Sequence, residues 1–305
     1  MSSECSPYNT FFNHRVWNAS ACWSNTEEQV NEMISAGMQV IVGKTCTLHR
    51  RSGNSGPVYQ EFPDETMRWN RMGLPNNGYK YYRDIAVNVF QDHRTRYILS
   101  VYMQNEPTIF VETLEMLVDY EKTLKDNDIP VAIVELNISC PNVKDRIPGY
   151  HCKDIVRIFT FLQTYSDRFP RIRFGLKLPP YFEKYKLFKV ADTIQKYSDI
   201  VVYIVCSNTI PNGYNTDFEM YGGISASHMN RMISQGNVKL FREKISSSNS
   251  SIKIIGCGGI HTLDHINEYM EVGADVVQLG SGFYDSKTRS LDMSRIRGIL
   301  WNIDS

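Results

Sequence analysis

Short runs of apolar and β-branched residues recur along the chain: MQVIVG (38–43), YILSVYM (97–103), VAIVELNI (131–138), IRFGLKL (172–178), IVVYIV (200–205), IKIIG (252–256) and DVVQLG (275–280). None alternates cleanly between polar and apolar, and none reaches helical length, so they read as strands buried on both faces. Between several of them the apolar residues return with helical period, as in TIFVETLEMLVDYEKTL, FEKYKLFKVADTIQKY and LDHINEYMEV. With VWNASA near residue 16 as a first strand the strands number eight, and a long segment from 47 to 82 is inserted after the second. Strand and helix alternating in this way predict an α/β fold, a single (β/α)8 TIM barrel with residues 1–305 as one domain. A doubly wound open sheet is the alternative, but no GxGxxG follows an early strand, as a dinucleotide fold requires.

Composition narrows the function classes. With 42% hydrophobic and 22% charged residues the 305-residue chain can build a large core. Lysine plus arginine equals aspartate plus glutamate at 33 each, so no global basic surface draws nucleic acid or anionic lipid, and any anion site must be local. The seven cysteines, at 5, 22, 46, 140, 152, 206 and 257, are odd in number and show no CxxC spacing. That favours a reducing compartment over a zinc site or a redox pair. The amino terminus, MSSECSPYNTFFNHR, holds no apolar run of signal or spanning length, which predicts a cytosolic protein that does not enter a membrane.

In such a barrel the chemistry gathers at the carboxyl ends of the strands. GCGGI (256–260) follows the seventh strand and LGSGF (279–283) ends the eighth. Glycines there let backbone N–H groups close on a phosphate, which implies a phosphorylated ligand; ligand-free tight turns are the bland alternative. The fourth strand runs into ELNISCPNV, which sets Asn137, Cys140 and Asn142 within six residues. Amide side chains both donate and accept, suiting a ligand with imide or amide edges, and no metal is suggested. Cys140 is a base or nucleophile if its thiolate is favoured and a small buried hydrophobe otherwise; residue chemistry alone favours the second.

The second strand presents Lys44 and the fifth Lys177, and lysine at a barrel's strand ends is paired or functional. The sixth ends in CSNTIPNG, adding Asn208, Thr209 and Asn212, and the insertion carries WNRMGLPNNG. Asn76, Asn77 and Asn212 read as turn residues. The scattered His93, His151, His228, His261 and His265 read as surface or loop residues, the Arg50–Arg51 pair as a local contact, and the 244–253 stretch as a solvated loop.

GKTCTLHRRSGN, NRMGLPNNGYKYY, ELNISCPNV and GLKLPPYF occur in this order, followed by NTIPNG, YGGIS, GCGGI and LGSG. On these motifs the chain resembles, over residues 16–284, the class 1 dihydroorotate dehydrogenases, the FMN barrels of pyrimidine synthesis. MGLPNNG resembles class 1A, the homodimeric branch that uses fumarate as oxidant. The resemblance implies that Cys140 takes the proton from C5 of dihydroorotate while hydride leaves C6 for the flavin. It implies that Lys44, Asn70, Asn137, Asn142, Asn208 and Thr209, with the backbone of Met72, Gly73 and Leu74, hold the pyrimidine and its carboxylate. Lys177 is implied beside N1 and O2 of FMN, Ala19, Ser20 and Lys44 around its ring, and Asn137 and Val205 among its further contacts. Gly222, Gly223, Gly258, Gly259, Gly280 and Ser281 are implied at its phosphate.

Around these residues the resemblance loosens. Val58 stands where the family usually has arginine, Ala21 where it has glycine, and SASHMNRM follows YGGI in place of a further glycine. KDRIPGYH replaces the usual lid sequence; closure of the loop 143–151 would exclude water, with Pro148 and Gly149 as hinge points. The chain stops at Ser305 without the family's longer tail, so altered dimer contacts are expected. Rival readings are a redox-silent homologue kept as a binding or regulatory protein, and an FMN enzyme acting on another dihydropyrimidine or on dihydrouridine. A phosphosugar isomerase would explain the phosphate loops but not the asparagines.

Overall fold

The computed structural model describes residues 7–62, 67–143, 146–246, 251–285 and 290–304. Cys5, Lys144, Asp145 and the middle of the 244–253 stretch therefore lie outside the described residues. In chain order the elements are β1 (Val16–Asn18), α1 (Glu27–Ser35), β2 (Val40–Val42), β3 (Tyr59–Phe62), β4 (Met67–Asn70), α2 (Tyr79–Gln91), β5 (Arg96–Tyr102), α3 (Pro107–Asp126), β6 (Ala132–Asn137), α4 (Cys152–Thr164), β7 (Ile172–Leu178), α5 (Lys184–Gln195), β8 (Val201–Cys206), β9 (Ile210–Asn215), β10 (Met220–Ser225), α6 (His228–Ser246), β11 (Lys253–Cys257), α7 (Leu263–Glu271), β12 (Val276–Leu279) and α8 (Met293–Asp304). Each predicted strand is present.

Eight parallel strands form one sheet in the order β1-β12-β11-β8-β7-β6-β5-β2, with a helix after each. The two ends of that order meet through a side chain. The buried Asn18 amide donates to the Val42 carbonyl at 2.6 Å and accepts the Val42 N–H at 2.8 Å, standing in for a strand ladder and nearly closing the ring. The barrel interior is packed by Trp17, Val40, Val42, Ile98, Ile133, Tyr203, Val205, Ile255 and Val276, and Phe11 on an N-terminal 3-10 turn joins the same cluster. Tyr203 needs room there: a Cβ on Gly175 would lie 2.0 Å from its ring, so only glycine lets the ring lie inside β7. Its hydroxyl donates to the buried Glu135 at 3.0 Å, which also accepts from Gln278 at 2.8 Å.

The helices cover the outside with their apolar stripes. Local signals set their starts. Thr26 caps α1, its hydroxyl accepting Gln29 N–H at 3.3 Å while the Gln29 side chain accepts Thr26 N–H at 3.2 Å, and Pro107 opens α3 where its missing N–H costs nothing.

Above the carboxyl ends of the barrel strands stands a second, antiparallel sheet in the order β3-β4-β10-β9. Its first two strands belong to the insertion expected after the second barrel strand. The β9–β10 hairpin follows β8 and was not expected, because Pro211, Gly213 and Asn212 at φ 65° interrupt any alternating pattern. Gly222 and Gly223 lie in β10, and their lack of a side chain is a packing requirement. A Cβ on Gly222 would sit 2.6 Å from Trp69, and one on Gly223 2.3 Å from the Thr209 hydroxyl.

Candidate active site

A cavity opens where β1, β2, β6, β7, β8, β11 and β12 deliver their last residues, with β4 and β10 forming a wall. It gathers Ala19, Ser20, Lys44, Asn70, Met72, Gly73, Leu74, Asn137, Cys140, Asn142, Lys177, Asn208, Thr209, Gly258, Gly259, Gly280 and Ser281. Three expected residues stay outside its lining. Val205 is fully buried in the barrel core beneath it, and Gly222 and Gly223 pack against Trp69 and Thr209. In their place Ser225 and Ala226, the residues just after YGGI, reach the cavity.

One half of the cavity is built from side chains that hold one another. Thr45 accepts from Asn137 at 3.1 Å and bonds the hydroxyls of Ser20 at 2.9 Å and Ser100 at 3.0 Å. The Asn137 carbonyl oxygen accepts Ser139 Oγ–H at 3.0 Å, and Asn208 donates to that hydroxyl at 2.8 Å. Across the cavity Asn142 donates to Asn70 at 2.9 Å, joining the β6 loop to β4. The 72–74 loop is pinned by Arg51, which donates to the Gly73 carbonyl at 2.8 Å, and by Asn54, whose amide N–H donates to the Met72 carbonyl at 3.0 Å. Gly73 at φ 70° lies so close to Asn54 that a Cβ would be 2.5 Å away, and Leu74 adopts φ 58° to turn its side chain onto Cys140.

Cys140 is buried with Leu74 and Tyr102. Burial pushes its thiol above the ordinary range, while the Asn142 N–H and then Lys44, Arg51 and Lys177 pull it back. Lys44 is buried too, and desolvation lowers its ammonium, opposed by Cys22 and Cys140. Among the described residues neither Lys44 nor Lys177 forms an ion pair, so two buried lysines face a cavity whose described lining holds no carboxylate. Among the described residues the Thr209 hydroxyl and the Gln278 carbonyl oxygen are buried without a partner. This is a lining for an anionic ligand rich in hydrogen-bonding edges.

The other half is built from backbone. Gly258 at φ 126° and Gly259 at φ 62° form a turn in which a Cβ would lie 2.3 Å from Asn230 and 2.6 Å from the Ser227 carbonyl. Tyr269 fixes this turn, donating to the Gly258 carbonyl at 2.8 Å. Ala226 sits at φ 66°, a left-handed conformation in which glycine is the default. His261 and His265 lie beside this turn rather than on the open surface: His261 bonds the Ala226 carbonyl at 3.1 Å, and His265 meets Arg231 and accepts the His261 N–H at 3.2 Å. Burial lowers both imidazoles. His93, His151 and His228 are exposed, as expected, and Asn76 serves as a turn residue, accepting Gly78 N–H at 2.9 Å.

A family model for dihydroorotate dehydrogenase matches residues 4–294. The chain belongs to the dihydroorotate dehydrogenase family. Among its relatives, "Probable dihydroorotate dehydrogenase A (fumarate)" of Streptococcus pneumoniae is 31% identical over 92% of this chain and 87% of its own length. "Dihydroorotate dehydrogenase (fumarate)" of Trypanosoma brucei brucei is 28% identical over 90% and 85%. A crystal structure of DHODH from Eimeria tenella with ferulenol superposes with a TM-score of 0.74 over 96% of this chain and 81% of that one; at 18% identity it supports the barrel fold. The fumarate-type relatives agree with the class 1A resemblance read from MGLPNNG.

Within this family member, the sequence reading passed over several residues of the lining. Arg68 stands two residues before Asn70 on β4, and period-two alternation puts both on one face. Gln278 stands likewise two before Gly280, and Thr45 directly follows Lys44. Ser225 and Ala226 had a signal in the missing glycine after YGGI. Trp23 and Tyr59 had none. The expected hinge also differs: Gly149 is buried and bonded, its N–H to Ile138 at 3.0 Å and its carbonyl to Tyr181 at 2.6 Å, and a Cβ would lie 2.3 Å from Pro179.

Proposed function

We propose that this chain oxidises (S)-dihydroorotate to orotate in de novo pyrimidine (UMP) biosynthesis, with FMN as hydride acceptor and fumarate as final oxidant. The observation that carries the reading is Cys140, a buried thiol in one cavity with Lys44, Lys177, the hydrogen-bonded Asn70–Asn142 pair and the Asn137–Ser139–Asn208 set. The lining fits FMN: Lys177 would face the ring's N1 and O2, Ala19 and Ser20 its edge, and the Gly258–Gly259 and Gly280–Ser281 turns its phosphate. Bound FMN would supply the acceptor for the hydride that leaves C6.

The chain's own residues do the rest. Lys44 meets the substrate carboxylate, and the asparagine amides meet the ring's C=O and N–H edges. Cys140, once ionised, takes the C5 proton. Because burial raises this thiol, the thiolate forms at neutral pH only with help from the Asn142 N–H and the nearby cations. The pinned 72–74 loop keeps water from that side. No described helix is long and apolar enough to cross a membrane. A cytosolic homodimer is part of the same proposal.

The purified protein should be yellow and should bleach anaerobically with dihydroorotate. A colourless protein that FMN cannot reconstitute overturns the reading. Reoxidation by fumarate, compared with NAD and a quinone, tests the oxidant separately.

A further inference from the structure

Arg68 stands on the inserted sheet, outside every motif that defines the barrel's chemistry, yet it lines the cavity. It shares one face of β4 with Asn70. Asn70 turns toward Asn142, while Arg68 reaches the opposite end and donates from Nη1 to the Ser281 carbonyl at 2.9 Å. Three contacts fix the guanidinium. Besides Ser281, its Nε pairs with Glu61 at 3.1 Å, and its carbon lies 5.4 Å from the centre of the Tyr284 ring. Tyr284 is itself stacked on Trp23 at 3.8 Å, and Tyr59 donates to the same Glu61 oxygen, so both supports are held from behind.

A guanidinium carries five N–H groups. Glu61 and Ser281 account for two, and among the described residues no further partner takes the others. The side chain is 13% exposed, so these donors are held in the wall of a cavity and not in open water. The turn it touches is one of the two backbone turns read above as the phosphate cradle. The other side of that cradle carries Ala226 at φ 66° where glycine is the default. Backbone N–H groups supply partial charge only; a fixed guanidinium supplies a full charge and paired donors matched to phosphate oxygens.

We propose that Arg68 binds the phosphate of the flavin nucleotide, delivered by the inserted sheet and aimed by Glu61 and Ser281. The proposal rests on the reading of the cavity as an FMN site. It makes Arg68 a discriminator between the nucleotide and the same ring system without phosphate, and it ties the order of the inserted sheet to cofactor loading.

The test is a fluorescence titration of apoprotein with FMN and, separately, with riboflavin, for wild type, Arg68→Met and Arg68→Lys. For Arg68→Met the FMN dissociation constant should rise roughly 10- to 100-fold, the size of a lost charge-assisted contact, and the riboflavin constant less than about threefold. Arg68→Lys, which keeps charge but not the fork, should fall between. Equal weakening of both ligands overturns the proposal and leaves Arg68 a strut between sheet and turn. Should Arg68→Met fail to fold, Arg68→Lys decides by the same comparison. Wild-type apoprotein that binds neither ligand overturns the FMN reading itself, whereas tight FMN binding unchanged in the variants overturns Arg68 alone.

Discussion

The two halves of the cavity are held by different means. Around Cys140 the fixed parts are side chains bonded to side chains, as in Asn142 to Asn70 and Asn208 to Ser139. Around Gly258 and Ser281 they are backbone turns, held by Arg68 of the cavity wall on the Ser281 carbonyl and by Arg295 on the Gly282 carbonyl at 3.1 Å. The first half depends on residue identity, because each amide must donate and accept in a set direction. The second depends on shape, which many sequences satisfy. The drift after YGGI falls in the second half, and the first keeps its motifs.

The largest effect that can break this comparison is at the base. Cys140→Ala should slow anaerobic bleaching by dihydroorotate about 10²- to 10⁴-fold, the usual range for a general base, while the protein stays yellow. A wild-type rate would give the proton to another group. The pH profile sharpens the same point: the bleaching rate should climb with pH toward a limb above the ordinary thiol value of 9.0, since burial raises Cys140.

Lys44→Met should weaken orotate binding by roughly 10- to 100-fold, as expected for a lost charged hydrogen bond, and move the alkaline limb higher, because Lys44 favours the thiolate. If orotate titrations are unchanged, the carboxylate lies elsewhere. In the backbone half, Gly259→Ala forces a Cβ to within 2.6 Å of the Ser227 carbonyl at φ 62°. Flavin retention on gel filtration should drop, at a cost of about 1–3 kcal/mol for the strained turn, with orotate contacts intact in reconstituted protein. The smallest effect has the opposite sign. Ala226→Gly removes left-handed strain and should leave urea stability equal or higher by up to about 1 kcal/mol, because glycine's greater unfolded-state entropy offsets part of the gain. A clear loss of stability would show that the Ala226 methyl packs productively.

The barrel was legible because strands buried on both faces write continuous apolar runs, even in VAIVELNI, where Glu135 lies in the middle of β6. The antiparallel sheet was not, since β9 and β10 carry proline and glycine and only part of each is buried. A glycine pair announces close backbone approach without naming what approaches: the side chains that crowd Gly222 and Gly223 are those of Trp69 and Thr209, and neither glycine lines the cavity. Val205 lies below the cavity lining for a related reason: on a barrel strand two or three residues of height separate packed core from cavity, and Asn208 is on the far side of that line. His261 and His265 flank the Thr262 cap of α7, where the His261 backbone N–H reaches the His265 ring.

The Asn18 amide has a dynamic consequence. Every other joint of the ring is a ladder of backbone bonds that opens only if several break together, whereas β1 and β2 are joined by one side chain. The next residues along β1 are Ala19 and Ser20, which form part of the cavity wall. A rotamer change at Asn18 would leave β1 and β2 joined only through the Ser20–Thr45 bonds above them, and the Val42 amide should exchange with deuterium faster than that of Ile98 on the laddered neighbour. A ligand that packs on Ala19 should slow exchange at this joint.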